Sequence, residues 1–304
     1  MCAMKRNCFS AMIFIIFAAQ VYPQTNPLNE ISIGLKSYAM GKTGGITFLE
    51  PNSVLLNPAV VNLNRETSFA LYYSNYAEDQ YTFNLAGYVP LKNIGNMAFA
   101  YQNLSANNVP EIDNDLNYKS TFSFISEQAT LAYIRPLFDQ FTLGISGQWY
   151  HSYFTLEGLN SGYNLIVMNA GLSYVPDFRS EILSGLSAGV VVYNLFPMSD
   201  GVYLPGKEYR FVIENIQQID DFRITGIVNL YYFRNNINEL DHRMQLGLNA
   251  AFSYFDVSIG YCSDFYAVGI GLLYGRFRAG YVYGVHHSDY FLRHNHGISV
   301  GVSI

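Results

Sequence analysis

Residues 244–254 read MQLGLNAAFSY. Met244, Leu246, Leu248, Ala250, Phe252 and Tyr254 share one parity, while Gln245, Gly247, Asn249, Ala251 and Ser253 share the other. Successive side chains of a β-strand point to opposite faces, so this stretch is greasy on one side and small or polar on the other. Phe141, Leu143, Ile145 and Trp149 alternate in the same way with Thr142, Gly144, Ser146 and Gln148, and residues 266–274 and 298–304 repeat the pattern. The strands of a soluble sandwich also alternate, but they turn Lys, Glu and Asp outward. Here the second parity is almost free of them. Strands of about ten residues, apolar on one face and rich in glycine and hydroxyl groups on the other, are what a membrane-spanning barrel requires.

Composition agrees. Half of the residues are hydrophobic, 16% are aromatic and only 13% are charged, against roughly 25% charged in an ordinary soluble domain. So little ionic surface implies that much of the chain faces something other than water. The net charge of −6, without a basic patch, argues against nucleic acid as a partner.

Residues 1–24 read as a signal peptide: Lys5 and Arg6, an apolar run over 11–19, then small and turn-forming residues. The run is shorter than the roughly 20 residues of a spanning helix. Of the three cysteines only Cys262 lies beyond the signal, so no internal disulfide is expected.

Residues 66–304 divide into about fourteen alternating segments, an even number as single-chain barrels prefer. If the first segment rises from the periplasm, the connections 91–95, 137–139, 177–183, 217–221, 255–256 and 275–276 lie on one side and all are brief. The longer ones, 105–126, 157–162, 196–207, 234–241 and 286–293, lie on the other. Short periplasmic turns and long outer loops are the barrel pattern. The expected fold is therefore an all-β transmembrane antiparallel barrel in the bacterial outer membrane. The segment 208–216 fits least well, because Lys207, Glu208, Arg210 and Glu214 crowd it.

Residues 25–65 are not barrel-like. Gly41-Lys42-Thr43 ends like a phosphate-binding loop, but the glycine needed five residues earlier is replaced by Lys36, and Gly44-Gly45 make a poor helix start. The glycines instead permit tight turns, and Pro51-Asn52-Ser53 can begin a short helix that Asn57-Pro58 ends. A compact apolar segment at this end of a barrel is expected to fold into the lumen as a plug.

Met40-Gly41 with Gly44-Gly45, followed by Asn57-Pro58-Ala59, resembles the N-terminal signature shared by FadL-type hydrophobic-compound transporters and the PorV/PorQ proteins of the type IX secretion system. Residues 246–248, 257–261 and 268–271, and His296-Gly297 before a closing strand, are similar too; that closing strand also resembles the PorP/SprF barrels. Val60 stands where the family segment has glycine. The resemblance implies a plug motif at Met40, Gly41, Gly44, Gly45, Asn57, Pro58 and Ala59. Its first functional implication is a secretion-associated scaffold or shuttle, binding exported proteins or secretion components through outer loops and rim. The alternative is a passage for hydrophobic small molecules.

Other chemistry is sparse. His286, His287, His294 and His296, with Asp289, cluster around the last outer loop, but their spacing matches no closed zinc site, and a rim role is expected. Arg276 and Arg278 share a parity that would line the lumen, where Glu50 is a candidate partner. The acidic stretch 111–115 lacks the glycine and distant glutamate of a calcium loop. Cys262 has no neighbouring base, and no nucleophile elbow appears. Neither enzymatic activity nor a cofactor or metal is expected.

Overall fold

A computed structural model describes residues 34–47, 50–60, 66–77, 80–92, 94–112, 118–138, 140–156, 159–176, 185–200, 205–234, 240–263, 265–287 and 292–304. The signal peptide assigned to 1–24 lies outside them.

Fourteen strands form one closed antiparallel meander. They are β1 (Ser68–Ala77), β2 (Gln80–Leu91), β3 (Gly95–Ile112), β4 (Tyr118–Phe138), β5 (Phe141–Leu156), β6 (Leu159–Tyr174) and β7 (Leu186–Tyr193). They continue as β8 (Glu208–Ile219), β9 (Phe222–Arg234), β10 (Leu240–Ala251), β11 (Phe255–Cys262), β12 (Phe265–Tyr274), β13 (Phe277–His287) and β14 (Leu292–Ser303). Each pairs with its sequence neighbour, and β14 returns to β1 from Ser68↔Ser303 to Asn75↔His296, which closes the cylinder. Closing a sheet on itself removes its free edge strands, the condition for it to survive in hydrocarbon.

The alternation of the opening stretch sets which face is which. Met244 and Leu248 on β10 are each 44% exposed on the outer wall, whereas Asn249 is buried inside. The outer belt is capped at both ends by aromatic rings. Phe222, Phe252 and Phe255 pack together at the short-turn end, and Tyr73 with Tyr81 and Tyr261 with Tyr266 at the other. Paired aromatic girdles around an apolar band mark a transmembrane barrel.

Three expectations need correction. The connection read as 105–126 shrinks to 113–117, because β3 and β4 run past the roughly ten residues that span a bilayer; their polar ends continue the ladder into water. The turn read as 177–183 is longer, joining Tyr174 to Leu186, so not every long connection lies on the outer side. Arg276 precedes the wall strand that carries Arg278, although both line a cavity at the short-turn end of the bore. Gly275, at φ 59°, makes the turn, and β13 starts only at Phe277, leaving Arg276 exposed in the connection.

The doubtful segment 208–216 is a regular strand. Glu208, Arg210 and Glu214 share its inward parity and are all buried in the lumen, so its charges belong to the interior network and leave the lipid face apolar. The wall is least regular beside it. β6 pairs with β7 only from Ala170↔Val192 to Tyr174↔Ala188, and beyond that Met198–Ser199 adds two bridging residues at Ile166 and Leu165.

Candidate functional site in the plugged lumen

Two short helices occupy the bore. The helix α1 (Leu35–Ala39) and a 3-10 helix (Pro51–Leu55) are both buried throughout. Proline begins the second one, where its missing N–H costs nothing, and Ser53 Oγ accepts a hydrogen bond from Glu50 N at 3.4 Å.

The seat for the 3-10 helix is cut from alanines. Val54, Leu55, Leu56 and Val60 pack on Ala86, Ala98, Ala100 and Ala132 of β2, β3 and β4. Small wall residues leave room for branched plug residues, each of which contributes roughly 1.5–3 kcal/mol on full burial. On the opposite wall Leu35, Tyr38 and Ala39 pack on Tyr72, Cys262, Phe265 and Val282, so Cys262 faces the lumen.

The plug motif meets wall glycines backbone to backbone. Gly41 has φ 74°, and a Cβ there would stand 2.5 Å from Tyr261 O. Across from it, a Cβ on Gly260 would stand 1.8 Å from Gly41 N. On the far side Gly144 of β5 touches Pro58 and Ala59, where a Cβ would be 1.9 Å from Pro58 O. Asn57 ties the segment together. Its Nδ2 donates to Gly45 O at 3.1 Å, and its Oδ1 accepts from Ala59 N at 2.9 Å. Met40 is buried against Val212 and Ile227, and Gly44 and Gly45 lie against Leu56 and Glu214.

Carboxylates set the register. Glu214 of β8 accepts from Ile46 N at 2.6 Å and Thr47 N at 3.1 Å, and also from the Thr47 hydroxyl. Glu50 accepts from Ser37 N at 3.0 Å. Lys36 Nζ lies 3.1 Å from Asp256 Oδ2 of β11. Such bonds contribute about 1 kcal/mol net each, somewhat more when charged, so apolar seating supplies most of the hold and the polar contacts choose the position. Burial, helped by the Arg278 cation, lowers Lys36 to about 8, and burial pushes the Glu50 carboxyl upward against its backbone hydrogen bonds. Below the plug a cavity of about 360 Å³ opens at the short-turn end, lined by Lys36, Glu50, Arg223, Arg276 and Arg278 among others.

Above the plug the lining changes. Leu104, Tyr150, Leu165 and Val167 form one inward apolar cluster, with Phe124 and Tyr163 against it. Val191, Tyr193, Tyr231 and Phe233 form another. Beside the second, the buried Arg210 guanidinium lies 5.4 Å from the Tyr193 ring and 5.0 Å from that of Tyr231. Among the described residues its Nε and Nη1 have no hydrogen-bond partner.

The histidines are separated. His286 is buried inside, its ring 4.6 Å from Phe265 and its Nε2 3.5 Å from Tyr38 Oη, whereas His294 and His296 are exposed on the outer face of β14. Those two bond through Nδ1 to Tyr283 and Tyr281 of β13. His287 ends β13. Among the described residues no three His, Cys, Asp or Glu side chains converge as metal ligands.

No known family's sequence pattern matches the chain, and no curated protein matches it in sequence. Solved structures do share its fold. The toluene transporter TbuX of Ralstonia pickettii superposes with a TM-score of 0.56 at 12% identity, covering 90% of this chain and 98% of that one. The P. putida toluene transporter TodX gives 0.56 at 9%, covering 89% and 96%. A Pseudomonas aeruginosa FadL homologue gives 0.53 at 10%, covering 90% and 98%. The chain is thus an outer-membrane β-barrel with a FadL-like fold, with residues 34–47 and 50–60 packed against the inside of its wall.

Proposed function

We propose that this barrel is a passage for small hydrophobic molecules across the outer membrane, with residues 34–60 as its plug. The carrying observation is the pair of apolar, aromatic clusters lining the bore above the plug, since the lumen of a water-filled pore is polar. The fold shared with proteins named as toluene transporters supports the same reading. A side exit would form where β7 ends. There regular β7–β6 pairing stops, Asn194 turns the chain at φ 57°, and the short segment 194–200 takes over, held to β6 by two bridging residues, by Leu195 N and Asp200 N donating to Met168 O and Asn164 O, and by the Asn164–Asp200 side-chain contact. The unpartnered Arg210 nitrogens suit a ligand with an oxygen acceptor at one end.

The test is uptake of labelled toluene and benzoate into proteoliposomes. Leu165 and Ser199 are cross-strand partners, so cysteines at both places should form a disulfide that lowers uptake and is reversed by reductant. Uptake no faster than in protein-free liposomes would sink the proposal.

The scaffold reading rests on the sequence resemblance and on outer loops whose tips lie outside the described residues. Its signature is recovery of secretion-system components or exported proteins with the barrel from native membranes.

A further inference from the structure

Most cations of the wall are turned inward. Among the described strand side chains, Arg210, Arg223, Arg243 and Arg278 share the lumen-facing parity of their strands. Arg135 does not. On β4 the side chains of Ala132 and Ile134 are buried inside, and Leu131, Tyr133 and Arg135 are exposed on the outer wall. A cation at the bilayer midplane costs about 2–4 kcal/mol, falling to about 0–1 near the interface. Arg135 pairs with Leu143, close to the β4–β5 turn, so it stands at head-group level at the short-turn end. Among the described residues no carboxylate lies within ion-pair distance of it; Asp139, in the turn, is outside them.

The wall is dented at this place. The β4–β5 register slips between Pro136 and Phe138, where proline has no N–H to give the ladder. A bulge bends its strand and increases the local twist. Beside it is a depression of about 400 Å³ lined by Tyr133, Arg135, Pro136, Leu137, Leu143 and Ile145. It is an apolar groove with a guanidinium at the membrane edge and a tyrosine beside it.

We propose that this groove is a specific site for one glycerophospholipid, its phosphate held by Arg135 and an acyl chain lying over Leu143 and Ile145. Guanidinium matches phosphate oxygens in a two-pronged geometry. The apolar side chains lie further along the strands toward the membrane interior, where the chain of a lipid anchored at Arg135 must run.

The experiment is native mass spectrometry of the whole barrel in detergent, titrated with phosphatidylglycerol, with diacylglycerol of the same chains, and with the free fatty acid. Wild type should retain one phosphatidylglycerol about tenfold more strongly than either other lipid, the weight of a charge-assisted contact. Arg135→Gln should remove that preference, Arg276→Gln should keep it, and Ile145→Trp, which fills the groove, should lower retention with Arg135 intact. Heat-dependent gel migration verifies that each variant is closed. Equal retention of the three lipids by wild type overturns the proposal, as does unchanged phosphatidylglycerol retention in folded Arg135→Gln. If Arg135→Gln does not fold, unchanged retention by Ile145→Trp overturns it instead.

Discussion

Lys36 of the plug and Asp256 of the wall form a buried ion pair at 3.1 Å, joining α1 to β11 across the inside of the barrel. Removing one member of a buried pair typically costs about 3–5 kcal/mol, because the other charge is left in a poor solvent, whereas replacing both by apolar groups is often neutral. Lys36→Met should therefore loosen the plug, and Lys36→Met with Asp256→Leu should largely restore it. Protease cleavage within residues 34–60 reads the difference; equal cleavage of the single and double variants would refute the pairing.

Glu50 gives the plug a pH dependence. Its carboxyl is raised above the usual range by burial. The docked state therefore holds a proton that the undocked state releases near the ordinary value of 4.5. Stability from this group is full below that ordinary value and is lost as pH rises through the raised one. Docking should tighten on acidification across that window, and Glu50→Gln should flatten the response. Accessibility of a cysteine introduced at Ser53 reports it.

Gly260→Ala tests the backbone contact. Its new Cβ would overlap Gly41 N at 1.8 Å, and neither partner is a side chain that can turn away. The plug should lift from β11, with ion conductance appearing in planar bilayers. Gly226→Ala, on a wall glycine with open space around it, should stay as closed as wild type.

Arg210 separates stability from ligand choice. A buried guanidinium with two unpartnered nitrogens is costly, since an unmade bond to a charged group exceeds about 1–3 kcal/mol. Arg210→Met should raise the melting temperature of the empty barrel by a few degrees while slowing uptake of benzoate more than that of toluene. A variant that is less stable and takes up both compounds at wild-type rates contradicts this account.

The division between what was legible and what was not follows the range of the interactions. Alternation is local, so Met244 and Leu248 on one face and Asn249 on the other could be read before any pairing was known. The short helix after Glu50 could be read from Pro51 and Asn57-Pro58. The helix α1 could not, because five residues carry no period. The crowding of Glu208, Arg210 and Glu214 made 208–216 the poorest fit to a strand; their common parity was the available sign that they face inward together. The histidines from 286 to 296 looked like one group because they are near in sequence. Opposite parities on β13 and β14 send His286 inside and His294 and His296 outside.

By itself the order of residues determined a closed, lipid-dissolved cylinder and a non-barrel segment ahead of it, since period, glycine placement and turn length act within a few neighbours. Only the tertiary structure decided what that segment touches. Lys36 meets Asp256, Ile46 and Thr47 meet Glu214, and Pro58 meets Gly144 across long stretches of chain. Those meetings depend on how the strands curve and close, and curvature accumulates over the whole sheet.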